Sequence, residues 1–389
     1  MTKSWAQTRL GDVVKIRHGF AFSGKHFSDT PTKNVLVTPG NFEIGGGFKS
    51  NKLKFYDGPV PEEYILSSGD LIVTMTDLSK NMDTLGYPAL VPDLPDGRQA
   101  LHNQRIGLIV ITSPLVDKGW LSYRLRAADY RSEILASSTG TTVHHTSPGR
   151  IENFEFAIPP IEVQQSITAT LDALDSKIAS NKRSVDIAET LADALFTRSQ
   201  GEHATLSDVA SLTMGSSPPG SSYTDQPNGG LPFYQGVRDF GRRFPSLRVW
   251  TNQPIRIAEP NDTLLSVRAP VGQLNRASVQ CCIGRGVAAI RSAWPSTIYY
   301  ALRASTDFWE PFQQEGTVFG AINRADLASA KLPWPSHEMA SELEAALESI
   351  DRQISHLENE IAKLSSLRDA LLPELLSGRI RVAADEVES

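Results

Sequence analysis

The chain has 389 residues, 40 % of them hydrophobic and 21 % charged, with a formal net charge of −6. That balance fits a globular protein of two or three domains and excludes a disordered or fibrous chain. No run approaches the roughly 18 apolar residues a spanning helix needs, and the first residues, Met1 to Gln7, lack an apolar signal region, so the cytoplasm is the expected location and no membrane contact is expected.

Divided by region, the charge separates: residues 1–160 carry +1 and 204–335 carry +3, whereas 161–203 carry −3 and 336–389 carry −7. A polyanion would be met by the first pair of regions, leaving the acidic pair to solvent or protein.

The first block opens with the Leu10–Ile16 stretch and a turn at Gly19, runs through an apolar Val35–Val37 segment to Gly40, and enters a strand at Leu71–Thr74 from the turn Ser68-Gly69-Asp70. A further strand is expected at Arg105–Val110 and a short helix around Leu121–Leu135. Lys25 and Lys49 are candidate phosphate contacts, Asn41, Asn103 and Gln104 suit adenine-type pairing, and Arg105 and the hydroxyl of Thr141 complete the candidate DNA-binding set of this block. The neighbouring His144 and His145 point to different sides of any regular element, so no shared metal is expected.

Pro159-Pro160 lies between Ile158 and Ile161. It lacks the polar and aromatic residues of the Asn/Asp-Pro-Pro-aromatic motif of amino-methyltransferases, and serves better as a rigid lead-in to a helix. Ile161 to Arg198 then carry a 4-3 apolar spacing: Ile167, Leu171, Leu174, Ile178, Asn181, Val185, Ala188, Ala192 and Leu195. This is a coiled-coil seam with one polar member, roughly 55 Å long at 1.5 Å per residue.

The second block repeats the first. Leu206–Leu212 and Gly215 stand 196 positions after Leu10–Ile16 and Gly19, and Gly236 keeps that offset from Gly40. Strands follow at Thr263–Val267 and Arg285–Ile290, then helix around Ile298–Gln313. Met214–Tyr223, rich in Gly, Pro and Ser, reads as a surface loop whose hydroxyls and N–H groups could face DNA. The candidate DNA-binding residues here are Ser216, Ser217, Tyr223, Arg238, Arg242, Arg243, Arg268, Arg276, Arg285 and Thr317, with Arg248 in the same arginine-rich run and Tyr234, Phe240, Phe244 and Trp250 interleaved. Guanidinium groups suit guanine edges and phosphates alike. The adjacent Cys281 and Cys282 give neither a disulfide framework nor zinc spacing, and suit a buried strand.

Shifted by 176 positions the seam recurs as Leu343, Leu347, Ile350, Ile354, Leu357, Ile361, Leu364, Arg368 and Leu371. Antiparallel pairing of first layer with last sets Ile167 against Leu371 and Asn181 against Leu357. Pro373 should break or kink this helix, Gly378 should stop it, and an acidic tail should follow. The fold class expected is α+β: two β-rich domains in tandem, 1–158 and 201–335, separated by two long helices, 159–200 and 336–378, that form an antiparallel coiled coil, with a tail at 379–389.

No phosphate-cradling GxxxxGK[ST] loop, no GxGxxG, no HExxH and no GxSxG occurs. As a set, the Ile/Leu-Pro edge before each helix, Ile161-Glu162-Val163-Gln164-Gln165-Ser166-Ile167, Leu171-Asp172-Ala173-Leu174-Asp175-Ser176-Lys177-Ile178, Gly215-Ser216-Ser217-Pro218-Pro219-Gly220, Cys281-Cys282-Ile283-Gly284-Arg285-Gly286 and Leu371-Leu372-Pro373-Glu374-Leu375-Leu376-Ser377-Gly378 resemble the specificity subunits of type I restriction-modification systems. The resemblance spans the chain. It implies a non-catalytic subunit with two target recognition domains, each reading half of a split double-stranded DNA sequence, held apart by the helices. It also implies partners: two modification subunits that bind S-adenosylmethionine and methylate adenine, and restriction subunits that use ATP and Mg. No cofactor is expected in this chain. A coiled-coil adaptor without DNA function, a solitary DNA-binding protein and a self-sufficient methyltransferase or nuclease are the alternatives; the basic blocks weigh against the first and the missing motifs against the last.

Overall fold

The computed structural model describes residues 5–140, 142–227, 230–312 and 320–381, so Thr141, Thr317 and the tail from residue 382 lie outside the described residues. Two units divide the chain: Met1–Ile178 with Ala362–Ser389, and Ala179–Ile361. Each unit therefore takes part of both long helices, which run Ile161–Ser199 and His337–Leu376.

In the first unit a four-stranded antiparallel sheet has the order Val14–His18, Ile106–Ile111, Leu71–Thr74, Pro88–Leu90. Side chains alternate across a strand, and here both faces are covered. Leu71 and Val73, with Val14, Ile16 and Ile109, pack against Trp120, Leu121, Ile134 and Phe154, and against Ile167, Leu171 and Leu375 of the long helices. Ile72 and Ile106 face the opposite way, onto Val35, Val37 and Ala100. Those last residues belong to a five-stranded sheet ordered Phe27–Ser28, Lys54–Tyr56, Asn34–Val37, Gln99–His102, Ile65–Leu66, with the third and fourth strands parallel. Strand Ala6–Arg9 pairs with Glu155–Ile158 and closes the domain at the first helix.

The second unit repeats this order strand for strand. Ser211–Met214, Val287–Arg291, Thr263–Ser266 and Leu274–Arg276 form the four-stranded sheet; Tyr223–Thr224, Trp250–Thr251, Leu231–Tyr234, Cys281–Ile283 and Ile257–Ala258 form the five-stranded one, again with strands three and four parallel. Leu265 and Val267 turn towards Ala192, Phe196, Leu343 and Leu347 of the long helices, whereas Leu264 faces Tyr234 and Cys281. Both cysteines are buried and free, as a strand buried on both faces requires. The expected helices are each split in two: Lys118–Arg124 and Ala128–Ser137 in one domain, Pro295–Ala304 and Thr306–Trp309 in the other.

Along the seam, Ile167, Leu171, Ile178, Val185, Leu343, Leu347 and Ile354 are buried, and Leu174, Leu195, Ile350, Leu357, Ile361, Leu364 and Leu371 are half-buried. Asn181, the polar member of the seam, donates from Nδ2 to Glu360 Oε2 at 2.8 Å, three residues on from the Leu357 expected opposite it. A carboxylate can accept from the amide, and an apolar leucine cannot, so this contact satisfies a polar group inside an otherwise apolar seam. Arg368 is likewise satisfied, donating to Asp175 at 2.8 Å. Pro373 does not break the second helix, which runs through it to Leu376; the stop comes at Gly378, whose φ of +73° suits glycine.

Candidate nucleic-acid interface

The second domain carries a basic cleft where its two sheets meet. The junction is the turn Ile283 to Val287, which connects an inner strand of the five-stranded sheet to an inner strand of the four-stranded one. Gly284 N donates to Tyr234 O at 2.8 Å, Gly286 N to Gln235 O at 3.1 Å and Val287 N to Gly284 O at 3.0 Å. Arg285, between the two glycines, is exposed. It lines a cleft of about 370 Å³ together with Ser217, Gln235 and Arg268. An adjoining cleft of about 650 Å³ shares Gln235, Gly236, Val237 and Ala269 with it and adds Arg238, Arg248 and Asp239. Four arginines thus line the two clefts against one carboxylate, and that carboxylate is already engaged by Arg248 at 2.7 Å. A positive concavity lined by exposed guanidinium forks suits phosphates and guanine edges.

The Gly/Pro/Ser loop beside it is held in place. Ser216 N donates to Ile283 O at 3.0 Å, and Tyr223 turns its hydroxyl inward to Pro218 O at 3.0 Å while its ring lies on Phe233. Ser216 and Ser217 are half-buried. The Tyr223 hydroxyl is therefore committed to the loop, whereas Ser217 lines the cleft.

Three of the candidate DNA-binding arginines are corrected by their surroundings. The Arg243 side chain is 1 % exposed and Arg276 5 %, and both bind the carboxylate of Asp351 on the second long helix. Tyr300 donates to the same carboxylate at 3.0 Å, and the Arg243 guanidinium lies 3.7 Å from the centroid of the Tyr299 ring. Burial works against the Arg243 charge, but Tyr299 and Asp351 outweigh it and push its pKa further up. Arg242 bridges Asp186 and Glu189 of the first long helix and approaches Glu358 of the second at 3.7 Å. Burial opposes its charge too, and the hydrogen bonds to Asp186 and Glu189 prevail. These residues fasten the domain to the helices. The available signal was the acidic excess of the helices, part of which faces arginines and not solvent.

In the first domain Lys25 is exposed on the turn Gly24–His26, and Arg105 is exposed beside Gln104. Asn41 is corrected: it is fully buried, its Oδ1 accepts from Thr38 N at 2.9 Å and its Nδ2 donates to Lys49 O at 3.2 Å, so it shapes a loop and cannot reach a base. Lys49 is half-buried, with its backbone taken up by that same loop. Asn103 is buried as well and accepts from Arg105 N at 3.0 Å, closing the turn that presents Gln104. A polar network also fixes this domain to the first helix: Tyr123 donates to Asp172 and Asp175 at 2.8 and 2.9 Å, and Gln164 accepts from Asp117 N at 2.8 Å. Burial and the two carboxylates hold the Tyr123 hydroxyl protonated.

Residues 2–187 match the family model described as the type I restriction modification DNA specificity domain. Over 98 % of its length the chain is 27 % identical to 94 % of a protein assigned as the MjaX type I restriction enzyme specificity subunit of Methanocaldococcus jannaschii. A 179-residue stretch is 27 % identical to the type I restriction enzyme EcoBI specificity subunit of Escherichia coli, covering 46 % of this chain and 34 % of that one. The fold matches the crystal structure of a type I restriction-modification S subunit from M. genitalium with a TM-score of 0.64 at 15 % identity, over 96 % of this chain and 97 % of that one. The first half of the chain thus carries the type I restriction modification DNA specificity domain, and the whole chain is similar to type I specificity subunits. The cleft residue that sequence reasoning passed over is Gln235, which follows directly on the strand Leu231–Tyr234 and carries no charge to draw notice. Among the described residues no helix is long and apolar enough to cross a membrane.

Proposed function

We propose that this chain supplies the DNA reading of a type I restriction-modification complex and performs no chemistry itself. Each recognition domain reads one half of a split double-stranded target. Two modification subunits, carrying S-adenosylmethionine, methylate adenine where the chain directs them, and restriction subunits using ATP and Mg join the same complex in the cytoplasm. The paired helices offer the partners a long acidic surface.

The observation that carries this reading is the arginine-lined cleft at the sheet junction of a domain whose topology is repeated in the other half of the chain. Guanidinium forks can form two parallel hydrogen bonds with a guanine edge, and their charge binds phosphate in a salt-dependent way. The test is to incubate the purified chain with DNA and labelled S-adenosylmethionine, alone and with its modification subunits. Methyl transfer only in the mixture is the expected result. Turnover by the chain alone, abolished by a substitution within it, would overturn the proposal.

A further inference from the structure

Both domains carry the same five-residue turn where the two sheets join: His102-Asn103-Gln104-Arg105-Ile106 and Ile283-Gly284-Arg285-Gly286-Val287. Hydrogen bonds set the equivalence, since the sequences share nothing. Phe20 N donates to His102 O at 2.8 Å, as Ser216 N does to Ile283 O at 3.0 Å. Ile106 N reaches Asn103 O at 2.9 Å, as Val287 N reaches Gly284 O at 3.0 Å. Met75 N bonds Arg105 O at 2.9 Å, as Val267 N bonds Gly286 O at 3.0 Å. A Cβ on Gly19 would stand 2.2 Å from Asn103 O and one on Gly215 2.1 Å from Gly284 O, so in each domain only glycine lets the crossing segment press on the turn.

The central residue of the turn, Gln104 in one domain and Arg285 in the other, is exposed on this pinned backbone. A base edge demands a donor pattern held to within a fraction of an ångström, whereas a phosphate tolerates a mobile cation. Arg238, Arg248 and Arg268 flank Arg285 in the adjoining clefts and suit the phosphate role. We infer that Gln104 and Arg285 are equivalent base-reading residues, Arg285 pairing with O6 and N7 of a guanine in one half-site and Gln104 with N6 and N7 of an adenine in the other. This inference rests on the proposed function.

The test maps methylated adenines in DNA from cells expressing the full chain, wild type or variant, with its modification subunits, alongside DNA binding by the purified complexes across a salt series. Arg285→Ala should make one G·C position of one half-site degenerate, with discrimination there falling about tenfold or more, while the other half-site and the salt slope stay as they were. Gln104→Ala should relax one A·T position in the other half-site only. Arg285→Lys keeps the charge and lacks the fork; it should relax the same position without a change in melting temperature, which separates lost reading from lost folding. An unchanged motif in Arg285→Lys and Gln104→Ala would overturn the inference. So would an Arg285→Ala complex that keeps its motif, binds all sequences more weakly and loses about 0.9 from the salt slope, as a phosphate contact does. A wild-type complex with no split motif would overturn the proposed function itself, before any variant is compared.

Discussion

Arg243 and Asp351 form a buried ion pair that ties the second recognition domain to the second long helix. Arg276 shares the carboxylate, so two guanidinium groups depend on one acid.

Removing that acid should be costly. Asp351→Asn leaves two buried cations without a counter-charge, and breaking a buried pair of this kind costs about 3–5 kcal/mol. Urea denaturation followed by circular dichroism would measure it. Replacing all three at once, with Asp351→Leu, Arg243→Met and Arg276→Met, should recover most of the loss, because apolar side chains of similar volume fill the space without a desolvation penalty. A triple variant less stable than Asp351→Asn would contradict this account of the contact.

Asn181 and Glu360 should behave as a coupled pair. Their 2.8 Å hydrogen bond has a charged acceptor and Asn181 is 2 % exposed, which gives an expected coupling of about 1.5–3 kcal/mol. A double-mutant cycle with Asn181→Leu and Glu360→Gln reads it. Asn181→Leu alone should lower the melting temperature; additive single effects would show that the hydrogen bond contributes nothing to stability.

Salt dependence should sort the arginines into two groups. Arg238→Ala with Arg268→Ala removes two cleft cations and should lower the slope of log affinity against log salt by about 1.8, at about 0.9 for each phosphate contact. Arg242→Ala should leave the slope unchanged and lower stability instead, since that side chain is held by Asp186 and Glu189. Fluorescence anisotropy on one duplex between low and moderate salt provides the comparison.

What the sequence made legible is what depends on near neighbours along the chain. The 4-3 spacing of Ile167, Leu171, Leu174 and Ile178 states a helix seam locally, and the repeated openings at Leu10 and Leu206 state a duplicated β-rich domain. Partners remote in sequence were not legible. Arg238, Arg242 and Arg243 look alike in a row of residues, yet Arg243 finds its acid 108 positions away and Arg238 stays exposed. Asn41 reads as a free amide and is consumed by its own loop, and the Oδ1 of Asn103 is taken up by the Arg105 N–H. The partner of the Asn181 amide was not legible either, since Glu360 lies 179 positions away and an apolar pattern cannot weigh that polar contact.

The glycines at the sheet junction give a separate check on the fold. Gly215→Ala would drive a methyl group to 2.1 Å from the Gly284 carbonyl oxygen, and overpacking of this sort costs about 1–3 kcal/mol. Gly19→Ala should do the same to the first domain. Gly149→Ala, where a Cβ would meet nothing within 4 Å, is the control and should change stability little.

The proposed role is to lend sequence choice, through two separate DNA-reading domains, to a methyltransferase carried by another subunit. Its most direct test is a genome-wide map of methylated adenines from cells that express the chain with its modification subunits. The account predicts one motif made of two defined halves with an undefined stretch of constant length between them, and no methylation when either protein is expressed alone. Methylation at a single uninterrupted motif, at no common motif, or by the chain without its partner would contradict it.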